Sequence, residues 1–504
     1  MKSKLFKMYL ALIVVSIFII ISSCGRFATY EKVVSFEKNT SNDEKIKKAA
    51  HVIPTKQQLE WQQLELTAFI HFGINTFTGR EWGDGTESPA LFNPAELDAM
   101  QWVKALKDGG MKMVILTAKH HDGFCLWPTK TTKHSVASSP WKDGKGDVVH
   151  LVKNACDSLN MKFGVYLSPW DRNTLSYGDS PKYNELYRQQ LTELLSWYGK
   201  VDEVWFDGAC GEGVNGKKQE YDWQSYYDIV HQLQPEAVIA IKGEDIRWVG
   251  TETGYGRSTE WSVTALAPGG KPEMVEINNN LGINETSVDI GSNTVIEKAN
   301  HLFWYPAEVD VSIRPGWFYH ESEDTMVKLL SQLVDIYFNS VGMNAVLLLN
   351  VPPDNRGLIN EADVNRLKEF KTWIDSTFNN NLLLLAKTNK ERVNVVIDQN
   401  PETYWTAKKF PAIAEFKLDS NMKFDIIEIQ EYIKKGQRIE EFRVEAWIND
   451  EWEVIASGTT VGYKRLIRFV PVKTDRIRII LVNARHDAMI SNMGVYLSSE
   501  ILPK

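Results

Sequence analysis

In Asp202-Glu203-Val204-Trp205-Phe206-Asp207-Gly208, an apolar run at 204–206 abuts a carboxylate and then a glycine. The run predicts a buried strand. An acid at the C-terminal end of a strand, beside a residue that lets backbone come close, is where parallel-barrel enzymes hold catalytic groups. The same arrangement would also suit an aspartate that caps the next helix. Other residues able to do chemistry fall at the ends of other apolar runs. His71 closes the run 67–72, and Lys119-His120-His121-Asp122-Gly123 follows 112–117. Tyr166 lies in 162–167, which continues into Ser168-Pro169-Trp170-Asp171. Two chemistries could use such a set. Histidines and an aspartate could hold a metal ion that activates water. Alternatively, two carboxylates could flank a glycosidic bond, with histidines and Glu81 on sugar hydroxyls and tryptophans against the apolar side of the ring. Adjacent residues of an extended strand point to opposite faces, so His120 and His121 are not expected to share an ion, and no HxH or HExxH spacing occurs.

The elements that must position these residues alternate along the chain. Helical periodicity covers 57–66, 98–109, 147–159, 180–198, 221–233 and 326–339. Short apolar runs at 67–72, 112–117, 162–167, 204–206, 237–241, 309–313 and 345–350 predict strands, and the pattern loosens after Glu260. Near-continuous apolar strands alternating with helices imply a parallel sheet covered on both faces. Seven or eight such units fit an irregular (β/α)8 barrel, whose strand ends would bring the polar residues to one rim. A doubly wound open sheet is the alternative, and no Gly-rich nucleotide fingerprint supports it. Past residue 380 the alternation gives way to period-two patterns such as Phe442, Val444 and Ala446, or Ile477 and Ile479. These predict an antiparallel β-sandwich over 381–504.

Composition narrows the partners. The net charge of −8 argues against nucleic acid, which wants a basic face, and the 17 tryptophans lean toward a carbohydrate ligand. Of the 4 cysteines, Cys125, Cys156 and Cys210 have no metal-cage or disulfide spacing and read as buried thiols. At the amino terminus, Lys2, Lys4 and Lys7 precede an apolar run at 9–21 that ends Ile21-Ser22-Ser23-Cys24-Gly25. That is a charged n-region and a short h-region, and the small residues before Cys24 resemble the lipobox of bacterial lipoproteins. The resemblance implies a signal peptide at 1–24, lipidation of Cys24, and a cell-envelope location through a membrane anchor. Residues 25–52 are polar and read as a tether with little structure, ending in a short helix.

Several motifs together resemble glycoside hydrolase family 29, the α-L-fucosidases. They are His71-Phe72-Gly73, Glu81-Trp82, His120-His121-Asp122-Gly123-Phe124, Tyr166-Leu167-Ser168-Pro169-Trp170, Trp205-Phe206-Asp207-Gly208 and Arg314-Pro315-Gly316-Trp317-Phe318-Tyr319, and they fall in consistent order over 53–379. The resemblance implies a catalytic barrel at 53–380, retention of anomeric configuration, and no metal or organic cofactor. It places the nucleophile on Asp207 and fucose-holding residues on His71, Glu81, Trp82, His120, His121, Tyr166, Trp205 and Trp317. Arg247-Trp248-Val249-Gly250-Thr251-Glu252 resembles the subfamily motif that precedes the acid/base, which selects Glu252 over Glu244 and Glu260. The segment 208–217 resembles the subfamily that favours α-1,3- and α-1,4-linked branch fucose, so the partner implied is a fucosylated oligosaccharide or glycoconjugate. Val396-Ile397-Asp398-Gln399-Asn400-Pro401-Glu402-Thr403-Tyr404-Trp405 resembles the early motif of discoidin-like sandwiches (coagulation factor 5/8 C type), which serve as glycan binders or as structural buttresses. The alternative function is a non-catalytic glycan-binding surface lipoprotein on a degenerate barrel.

Overall fold

The structure is a computed structural model that describes residues 30–388 and 391–500; Cys24 and the signal segment lie outside the described residues. Eight parallel strands form the first domain: β1 Leu66–Ile70, β2 Met113–Lys119, β3 Lys162–Leu167, β4 Glu203–Phe206, β5 Val238–Ile241, β6 Arg247–Trp248, β7 Ala307–Ser312 and β8 Ala345–Asn350. They pair in the order β5-β4-β3-β2-β1-β8-β7-β6, and a parallel bridge between Ala240 and Ile246 joins the two ends into a barrel. Side-chain alternation explains the continuous apolar runs. Ala68, Leu116, Val165, Phe206, Val309 and Leu349 face the helix layer. Phe69, Ile115, Tyr166, Trp205, Ala240 and Leu348 fill the barrel, and Trp61 closes its floor. With both faces covered, each run reads as hydrophobic throughout.

The outer helices begin where carboxylates can take up their free N–H groups. Asp98 accepts from Gln101 N ahead of the helix Ala99–Asp108, and Asp147 accepts from His150 N ahead of Val148–Ser158. The expected helix over 57–66 ends sooner, spanning Lys56–Gln62, because Glu65 turns left-handed (φ 61°) so that the chain can enter β1 at Leu66. The helix expected over 326–339 begins at Leu330. The tether region includes the expected helix, Asn42–Ala49, and also the strand Val33–Ser35, which pairs antiparallel with His301–Trp304.

The second domain is an antiparallel sandwich built from Ala412–Glu431, Ile439–Ile448, Glu451–Gly458, Arg465–Ala484 and Ala488–Tyr496. Phe416, Phe424, Ile427, Phe442, Val444 and Ile479 lie in its core. It shares packing with the barrel, since Ile426, Leu466 and Tyr496 belong to the core beneath the barrel helices. Lys464 also pairs with Glu65 across the join at 2.6 Å.

Candidate active site

Asp207 is the first residue beyond β4, with its side chain about a quarter exposed (25%). Its Oδ1 accepts from Ala209 N at 2.7 Å, and its Oδ2 accepts the Tyr166 phenol at 3.0 Å. Burial raises the Tyr166 pKa well above its usual value, so the phenol keeps the proton it donates. The Nε2 of His121 lies 3.9 Å from the same Oδ2.

The hydrogen bonds fix the tautomers of two histidines. His71 Nδ1 meets the side-chain oxygen of Asn350 at 2.9 Å, while Asn350 Nδ2 donates to the Trp317 carbonyl at 2.8 Å and to Ser312 Oγ at 2.9 Å. The carbonyl partner fixes which way the Asn350 amide faces. His71 Nδ1 must therefore carry the hydrogen, and its Nε2 is an acceptor. Ser168 Oγ donates its one proton to the Trp170 carbonyl at 2.6 Å, so at 2.7 Å from His121 Nδ1 it can only accept. His121 Nε2 is thus also an acceptor. Neither it nor Asp207 can donate across the gap between them, which suits a donor brought by a ligand such as a sugar hydroxyl.

Burial lowers the His71 pKa to about 3, lowers that of His120 well below its usual value, and lowers that of His121, so the cluster stands neutral at neutral pH. Burial also pushes Asp122 up to about 7. The expectation that His120 and His121 point apart is corrected: their rings lie 4.2 Å apart at 39°. β2 ends at Lys119 and the chain turns at Gly123 (φ 80°), so strand alternation does not govern the pair.

The remaining expected residues spread around the same rim. The Trp317 ring lies 5.1 Å from His71, and its Nε1 donates to Glu252 Oε2 at 3.2 Å. Glu81 is bound to the segment that carries Trp317, accepting from Trp317 N at 2.7 Å, Phe318 N at 3.2 Å and His320 Nε2 at 2.6 Å. Trp82 is 56% exposed and sets its edge against His121 and Trp170. Trp205 is buried, packs on Tyr166 and Phe69, and gives its indole N–H to Glu308 at 2.7 Å. Continuous contact therefore runs from Asp207 through Tyr166, His71 and Trp317 to Glu252.

The rival glutamates are held elsewhere. Glu244 is paired with Lys271 at 2.9 Å and lies 3.7 Å from His231. Glu260 is buried between Arg247 and Arg257. The sequence assigned no role to Asn350, Ser168, Glu308 or Asp310. Asp310 takes the Trp248 indole N–H at 2.8 Å, and burial raises its pKa well above the carboxylate range, with the nearby Glu252 charge contributing. An apolar strand interrupted by acids, as in β7 at Glu308 and Asp310, was the one available signal.

The family profile described as alpha-L-fucosidase matches residues 86–379, and one described as a NedA-like, galactose-binding domain matches 395–479. An Arabidopsis thaliana protein named alpha-L-fucosidase 1 is 43% identical over 463 residues, covering 88% of this chain and 87% of its own. A crystal structure from Bacteroides ovatus assigned to the same enzyme class is 55% identical with a TM-score of 0.88, covering 94% of this chain and 79% of that one. A Ruminococcus gnavus family 29 fucosidase solved with fucose is 34% identical with a TM-score of 0.78, covering 89% of this chain and 95% of its own.

Proposed function

Because the chain belongs to the alpha-L-fucosidase family of glycoside hydrolases, we propose that it is a retaining exo-enzyme in which Asp207 is the nucleophile and Glu252 the acid and then the base. The observation that carries this reading is the continuous set of contacts linking Asp207 to Glu252 around one rim. Asp207 attacks the anomeric carbon while Glu252 protonates the departing oxygen; water then cleaves the glycosyl-enzyme with Glu252 as base. His71, His120, His121 and Tyr166 engage fucose hydroxyls. Trp82 and Trp317 flank the sugar, and Trp205 acts mainly as the platform beneath Tyr166. Glu81 holds the Trp317 segment in place as well as facing the sugar.

The engagement of Glu244 and Glu260 in ion pairs supports Glu252 as their alternative. The reading as a non-catalytic glycan binder finds no support among the relatives, whose names are those of enzymes. The loop resemblance at 208–217 supports α-1,3/1,4-linked branch fucose as substrate, and the lipobox supports anchoring at the cell envelope through Cys24.

The deciding experiment is trapping with a fluorinated fucosyl reagent, followed by peptide mapping, together with NMR of the first-formed sugar. Label on Asp207 and release of the α-anomer are expected. Label on another side chain, or initial β-fucose, would sink the assignment. Faster release from a Lewis-type trisaccharide than from an α-1,2-fucosyl disaccharide is expected for the linkage; the reverse order would refute it.

A further inference from the structure

The segment bearing Glu252 leaves the barrel at β6 and comes back against Arg247 at Glu260, where it is gripped by the sandwich. Ser258 O accepts from Arg465 Nη1 at 2.9 Å, and the hydroxyls of Thr259 and Thr459 meet at 2.8 Å. Glu260 N donates to Thr460 Oγ1 at 3.0 Å. The side chain of Gln437, fully buried, donates to Glu260 O at 3.0 Å and accepts from Ser262 N at 2.7 Å. The departing end is tied to the same point, because Arg247, which opens β6, pairs with the Glu260 carboxylate, and Arg257 joins it at 3.3 Å.

Within the loop, Gly250 (φ 98°) runs so close to the Glu285 carbonyl that a Cβ would stand 2.4 Å from its oxygen. Between these fixed points residues 251–253 are exposed, and the hydrogen bond that Glu252 makes in the structure is the one from Trp317. The place of the Glu252 carboxylate is therefore set by where the ends of its loop are held. Its return end is held first at Gly256, whose N–H donates to Asn339 O at 2.6 Å on the barrel side, and from Ser258 onward by sandwich residues nearly two hundred positions further along the chain.

We propose that the C-terminal sandwich is a positioning module for the acid/base, with Gln437 and Thr460 as the positioning residues that set the reach of Glu252 toward the leaving oxygen. This rests on the reading of Glu252 as acid/base. A misplacement of about 1 Å remote from the chemistry can cost about 100-fold in rate, which is the size of effect such a clamp controls. The cost falls on one class of substrate. A sugar leaving group needs its proton, whereas a dinitrophenolate leaves without one.

The test compares kcat/KM of full-length Thr460→Val and Gln437→Ala on dinitrophenyl fucoside and on a fucosyl disaccharide. Loss of about 10-fold or more on the disaccharide, with the aryl fucoside within about 2-fold, is expected from displaced general-acid catalysis. Thr460→Ser keeps the accepting oxygen and restores the disaccharide rate. Equal losses on both substrates, or none on either, overturn the proposal. If Gln437→Ala does not fold, Thr460→Val carries the result, since it keeps the side-chain shape and removes a single acceptor. Glu252→Ala is the separate control, expected to show the same substrate split and azide rescue of the aryl fucoside. Its failure to do so refutes the acid/base reading independently of the clamp.

Discussion

The phenol of Tyr166 gives its proton to one oxygen of Asp207 while Ala209 N holds the other, so the carboxylate is oriented from two sides. A hydrogen bond to a charged group is worth about 1.5–3 kcal/mol. Tyr166→Phe is therefore expected to lower kcat/KM for an aryl fucoside about 10- to 100-fold, at about 1.4 kcal/mol per decade. Steady-state kinetics check this, with a thermal melt to confirm that the ring still packs on Trp205; unchanged kinetics would remove the hydroxyl from the mechanism. Asp207, Tyr166 and the three histidines were legible in the sequence because each stands at the end of an apolar run. Asn350 and Ser168 were not. Amides and hydroxyls are common at strand ends, and their function here is to choose a tautomer for a ring on another strand, which no local pattern records.

β4 and β7 meet inside the barrel through two acids. Glu203 accepts from the Trp61 indole at 2.8 Å and Glu308 from that of Trp205 at 2.7 Å. Burial raises the pKa of both, and Glu203 raises that of Glu308 further, so the pair shares a proton at neutral pH. A carboxyl whose pKa is higher folded than unfolded contributes stability that is full below the unfolded value of about 4.5 and is lost as pH rises through the folded one. Stability should thus fall as pH rises from about 4.5 toward about 8, the value to which burial pushes Glu203. Glu308→Gln, which keeps an acceptor for Trp205 and has no charge to bury, should flatten that decline. Melting temperatures of the two proteins across this range test it, and parallel curves would refute the shared proton. Most barrel elements were readable because each strand is apolar throughout and each helix is periodic and capped. β6 escaped because two residues, following a turn at Ile241 (φ 67°) with no intervening helix, leave no periodicity to detect.

At the scale of the whole molecule, the chain runs from an amino-terminal segment that resembles a lipobox through a catalytic barrel to a sandwich. If Cys24 carries the anchor, Cys24→Ala should move the protein from the membrane to the soluble fraction and abolish labelling by a palmitate analogue; an unlabelled, soluble wild type would refute it. The sequence alone determined the parallel barrel, the trailing sandwich and the family. Apolar periodicity and short motifs survive as local signals, because burial on two faces or on one leaves its mark residue by residue. Only the tertiary structure decided that the two rival glutamates are held in ion pairs. Along the chain the motif resemblance favours Glu252, and Lys271, Arg247 and Arg257 occupy Glu244 and Glu260 only once the chain has folded. It alone also decided that the sandwich grips the loop of Glu252. Both depend on contacts between residues far apart in sequence, whose partners are set by the closing of the barrel rather than by any neighbouring residue.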